Sequence, residues 1–240
     1  MASVAGSPKA LVGIGGRQIF LIIAAVLFAI DLVLIFLYAP TADRALGVQV
    51  QRIFYFHVPS AIVGMLSFSV AAFASIAYLR KRNAKWDRIA WASAEIGTII
   101  FTVAIATGAI WAKPVWQTWW VWDANGTLTF ILWLVFIGYL IVRGYAPTVE
   151  RGARWGAVVA ILGAAAVPFV YMAADWWAGL HTERVTGPGA SGSLESEMFI
   201  TLMFSLVTFI VLFAVLVGER SAQRAVEESI AEVRREVMDR

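Results

Sequence analysis

The sequence predicts an all-α integral membrane protein: six transmembrane helices followed by an amphipathic C-terminal tail. Three observations lead there. Of 240 residues, 60% are apolar and only 15% are Asp, Glu, Lys or Arg, against about a quarter charged in soluble domains. The mean hydropathy is +0.77, and the apolar side chains come in long runs bounded by short polar segments, a pattern that lipid explains. The basic residues gather in alternate loops, as the positive-inside rule requires of a multi-pass protein.

The spans follow in order. A helix of about 20 apolar residues crosses a bilayer. The first run, Ile19–Tyr38, begins well inside the chain and has no small-residue cleavage site. It reads as a retained span rather than a signal peptide, after a cytoplasmic segment, 1–18. The second is Ile53–Leu79 and the third Ile89–Trp111, where Gly97 and Gly108 mark candidate close helix contacts. Leu128–Val142 is the shortest, and its helix is expected to extend into Thr127 and Arg143. Trp155–Met172 carries Pro168 late, where it kinks or ends a helix. Met198–Val217 is the sixth, closing a membrane domain of residues 19–217.

Arg80, Lys81, Arg82, Lys85 and Arg88 cluster between spans two and three, and Arg143, Arg151 and Arg154 surround the loop between spans four and five. Both loops are therefore expected in the cytoplasm, with both termini. The other three connections, 39–52, 112–126 and 173–197, then face out. In the cytoplasmic tail, 218–240, Val226, Ile230, Val233 and Val237 recur at helical spacing among mixed charges. This is a short amphipathic helix that either lies against the membrane or its own loops, or docks a cytoplasmic subunit.

Several function classes fall away. There is no cysteine, so disulfides, thiolate metal sites and thiol catalysis are excluded. A net charge of +3 reflects a few loop arginines, not a nucleic-acid surface. No GxxxxGK[ST] phosphate loop and no Ser-His-Asp arrangement is found, and no enzyme activity is expected. Asp31 in span one and Glu95 in span three are costly in lipid and expected to face the bundle interior. Neither has an evident basic partner in the sequence, which puts proton-coupled transport second.

The outer connections carry the chemistry. Of 11 tryptophans, five lie between Trp111 and Trp122. Trp116, Trp119, Trp120 and Trp122 crowd one loop with Asp123. An aromatic belt explains one or two rings per helix end, whereas this density suits an apolar shelf for a planar ligand. The two histidines, His57 and His181, fall on the same face. Two neutral imidazoles flanking an aromatic shelf suit the axial ligation of one haem, with Arg52 and Arg184 as candidate propionate partners. A metal site completed by Asp123 or Glu183 is the alternative.

Three blocks, FYFHVPSA at 54–61, WQTWWVWDANGT at 116–127 and VPFVYMAADWWAGLH at 167–181, resemble the cytochrome c biogenesis haem-handling family, in its short haem exporter protein C (CcmC) type. The resemblance implies that His57 and His181 are axial ligands of haem b. It makes Trp116, Trp119, Trp120, Trp122 and Asp123 the WWD domain that contacts haem and the receiving chaperone. It further implies delivery to the periplasmic haem chaperone CcmE beside the nucleotide-binding subunit CcmA and the membrane subunits CcmB and CcmD of an ABC-type complex. Membrane transport of haem or another small ligand is the alternative. Gln117, Asn125 and Thr182 stand where the family usually has Gly, Arg and Gln.

Overall fold

The computed structural model describes residues 15–41, 48–177, 179–180 and 194–238, and among them every regular element is helical. In chain order these are α1 (Gly16–Val33), a π-helical turn (Leu34–Tyr38), a 3-10 turn (Val48–Ile53), α2 (Phe54–Lys81), α3 (Ala84–Trp116), α4 (Ala124–Gly144), α5 (Val149–Ala164), α6 (Val167–Trp176) and α7 (Ser196–Met238). Six helical stretches are long and apolar enough to cross a membrane, α5 and α6 together forming one. The chain is a multi-pass, all-α membrane protein.

Local chemistry sets the boundaries. Asn83 caps α3 through Lys85 N–H at 2.9 Å, Asp123 caps α4 through Gly126 N–H at 2.9 Å, and Thr148 caps α5 through Arg151 N–H at 3.2 Å. Each side-chain oxygen satisfies one of the amides that a helix start leaves unpaired. Pro168 divides the fifth span as expected. It has no N–H to donate to the Ala164 carbonyl, so α5 stops at that residue and α6 begins with the proline in its first turn. α3 is longer than its apolar run, reaching Trp116 through Pro114 before Gln117 turns it off at φ 60°. Only 117–123 remain as the connection to α4.

α2 and α3 form the most extensive helix pair. They approach closely at Gly97, where a Cβ would lie 1.7 Å from Ser67 Oγ and 2.6 Å from Ser67 Cβ. Ser67 Cβ is fixed to the backbone, so rotating the hydroxyl cannot relieve the clash. Gly97→Ala is expected to push the helices apart and destabilise the protein by about 1–3 kcal/mol, measured by thermal unfolding in detergent against wild type. Beside this contact Phe68 stacks on Phe136 at 3.7 Å and meets Phe101 edge-on at 5.3 Å, joining α2, α3 and α4.

The two acids in the spans do not meet. Asp31 is fully buried and accepts a hydrogen bond from Ser205 Oγ of α7 at 2.7 Å. Glu95 corrects an expectation, because it does have a basic partner. Arg220 Nε donates to it at 2.7 Å, and Trp91 Nε1 donates at 2.8 Å. That partner was hidden because the tail does not fold as a separate helix. α7 runs unbroken for 43 residues, from the sixth span to Met238. The Arg88–Glu228 pair, at 3.0 Å, ties the tail to α3 a second time. Val226, Ile230, Val233 and Val237 are all exposed.

Candidate functional site

At the tryptophan-rich end of the bundle, α2, α3, α4, α6 and the start of α7 surround a cavity of about 420 Å³. That volume lies within the ~300–1,000 Å³ typical of ligand and cofactor sites. Phe54, Met65, Phe101, Ile105, Val170 and Met198 make its wall largely apolar. The 117–123 connection covers one side.

His57 stands on this wall, in the first turns of α2. Its Nδ1 lies 2.9 Å from the carbonyl oxygen of Ala104 on α3. A carbonyl only accepts, so Nδ1 carries the proton, and the lone pair of the neutral ring is on Nε2. The ring rests in a notch at Gly108, where a Cβ would come within 2.8 Å of His57 Cε1. Trp111 meets the imidazole edge-on at 6.0 Å.

Of the tryptophans singled out in the sequence, Trp116, Trp119 and Trp120 line the cavity. Trp119 also remains 59% exposed. Trp122 and Asp123 do not line it. Trp122 is 69% exposed and packs edge-on against Phe130 at 5.7 Å and Trp120 at 6.1 Å. Asp123 instead fixes the turn, capping α4 with one oxygen, while the other lies where a Cβ on Gly179 would come within 2.5 Å. The chain two residues before His181 is thereby seated against the tryptophan turn. His181, Glu183 and Arg184 lie outside the described residues. Arg52 donates to the Ile35 carbonyl and covers the Phe36 ring at 5.8 Å. Among the described residues no three of His, Cys, Asp and Glu come together as a metal-binding group.

The sequence did not single out Gln51, Trp111 or Met198, which also line the cavity. One signal was available for Trp111: Ala104, Gly108 and Trp111 fall at i, i+4 and i+7, one face of a helix. The indole N–H groups of Trp111 and Trp120 are buried and meet no acceptor among the described residues. Buried donors are normally paired. Two such groups on the cavity walls, with an imidazole lone pair and a broad aromatic surface, make up a donor set that a flat, amphiphilic metal macrocycle fits.

Comparison with known proteins bears on this arrangement. The family model described as Heme exporter protein C matches residues 2–236. The chain is 32% identical over 161 residues to Heme exporter protein C of Bradyrhizobium diazoefficiens, covering 67% of this chain and 61% of that protein. It is 30% identical over 197 residues to the protein of the same description in Rhodobacter capsulatus, covering 81% and 78%. Against the Escherichia coli K12 protein of that description it is 30% identical over 164 residues, spanning 64% of that protein's length.

Proposed function

Because the chain belongs to the Heme exporter protein C family, we propose that it handles haem during cytochrome c maturation, holding it in the aromatic cavity and presenting it at the outer membrane face. The observation that carries this reading is His57 on the cavity wall, with Nδ1 held by the Ala104 carbonyl at 2.9 Å and its lone pair on Nε2. A metal-ligating histidine characteristically donates its other ring nitrogen to such an acceptor, which fixes the tautomer and raises ligand basicity.

Haem b is the cargo and His57 its first axial ligand. His181 is the second, by its place in the resembling block and by the seating of Gly179 against Asp123. Trp116, Trp119 and Trp120 cover the apolar faces of the cargo and exclude water. Trp122 and the exposed edge of Trp119 form the docking face for the periplasmic chaperone CcmE. CcmA supplies ATP chemistry from the cytoplasmic side, and CcmB and CcmD complete the membrane assembly.

This division of labour predicts a split between two tryptophans. Trp120→Ala lowers haem retention, roughly tenfold or more, because it removes a large apolar wall. Trp122→Ala leaves retention near wild type and slows transfer to CcmE. Haem titration followed by a transfer assay with soluble CcmE checks both. Equal retention and transfer in both variants and wild type would remove the shelf from the account. The basic test of function is the absorption spectrum of gently purified protein before and after reduction. A Soret band and a reduced α band are expected. A haem-free spectrum that persists after haem supply with the partners present would put small-ligand transport first.

A further inference from the structure

Three features of α3 converge on His57. The Ala104 carbonyl accepts its Nδ1–H at 2.9 Å. Gly108, one turn further, gives the ring the space it occupies, since a Cβ there would sit 2.8 Å from Cε1 and 3.2 Å from Nδ1. Trp111, at i+7 from Ala104, closes the next side of the ring at 6.0 Å and an interplanar angle of 66°. His57 is the fourth residue of α2, which follows the 3-10 turn Val48–Ile53 without a break. Its backbone is therefore set by α2, but its imidazole is set by α3.

We infer that this one face of α3 is the positioning surface for His57, with Gly108 as its determining residue: it selects the Nδ1–H tautomer and the ring plane in which Nε2 meets a ligand. The inference rests on the haem reading of the cavity and adds residues that act through the ligand histidine. The choice of Gly108 follows from size. The atom that a methyl group would strike belongs to the end of the His57 side chain, not to backbone. The ring can therefore swing away at small cost to the fold while losing its bond to Ala104. A variant at this position moves ligation without removing the ligand.

The experiment uses the full chain in nanodiscs, as wild type, Gly108→Ala, Gly108→Val, Trp111→Phe and His57→Ala. With only two histidines in the sequence, selective ¹⁵N-histidine labelling gives ring signals from two residues, assigned by the loss of one set in His57→Ala. In the haem-free wild type at a pH where the ring is neutral, His57 is expected to show a protonated Nδ1 and an unprotonated Nε2. In Gly108→Ala that tautomer signature weakens, and in Gly108→Val it is lost. Haem affinity falls by about 10–100-fold, the range for removing the group that orients a metal ligand. The low-spin haem signature gives way to high-spin, and added imidazole restores it. Trp111→Phe, which keeps a ring against His57, leaves the tautomer signature as in wild type. If Gly108→Val does not fold, Gly108→Ala decides.

Wild-type tautomer, affinity and spin state in Gly108→Ala would overturn the positioning role, provided His57→Ala abolishes the wild-type spectrum. A spectrum unchanged in His57→Ala would instead overturn the ligand assignment, which separates failure of the inference from failure of the functional reading.

Discussion

Replacing His57 by glycine is expected to remove one axial ligand and cut haem affinity by roughly 100-fold, with added imidazole restoring the low-spin spectrum. The magnitude is the upper end of what a mutation around a metal ligand costs. Rescue is expected because the substitution vacates the seat of a ring already bounded by Gly108, Trp111 and the Ala104 carbonyl. Free imidazole entering that space finds the same acceptor for one nitrogen and the same aromatic edge. Membrane insertion and helix content stay unchanged, because long apolar runs and not this one ring set the spans. Titration of haem into the variant, with and without imidazole, reads the effect. Undiminished affinity would mean that His57 is not a ligand.

The second large effect lies at the opposite end of the bundle. Arg143 of α4 makes two parallel bonds to Asp87 of α3, at 2.5 and 2.9 Å, with side chains only 3% and 7% exposed. The guanidinium also lies 4.7 Å from the centre of the Trp91 ring. Arg224 of the tail also lies over that ring, at 4.2 Å. Removing one member leaves the other charge buried without its counter-ion, and Arg143→Met or Asp87→Leu alone is expected to destabilise by about 3–5 kcal/mol. The double variant Asp87→Leu/Arg143→Met should recover most of that loss, since no buried charge is then left over. Thermal unfolding in detergent checks all three. Additive losses in the double variant would show that the residues act through packing and not as an ion pair.

The fold was legible wherever burial in lipid dictates it. Six apolar runs became six spans, and Pro168 broke the fifth where its missing N–H requires. The sequence was a poorer guide at the ends. The helix through Trp116 and the unbroken α7 both run past the apolar residues that announced them. In α7 the extension is supported by Arg220–Glu95 and Arg88–Glu228, pairs more than a hundred positions apart that no local pattern reveals. The site shows the same division. His57 and the tryptophans stood out as residue types, and the cavity joins His57 to Trp116, Trp119 and Trp120. The roles of Ala104, Gly108 and Trp111 depend on how α2 crosses α3, which spacing within α3 alone does not report. Asp123 stood out in the tryptophan block, and its part in capping α4 and seating Gly179 follows from the turn, which the block alone does not report.

The most direct test of the central claim is a haem titration of the wild-type chain alone in nanodiscs, followed through the Soret band and corrected against empty nanodiscs. Saturation at one haem per chain, with a low-spin spectrum in both redox states, is the predicted result. A spectrum that never departs from that of haem in empty nanodiscs, with CcmE and the other membrane subunits also supplied, would contradict haem handling by this cavity.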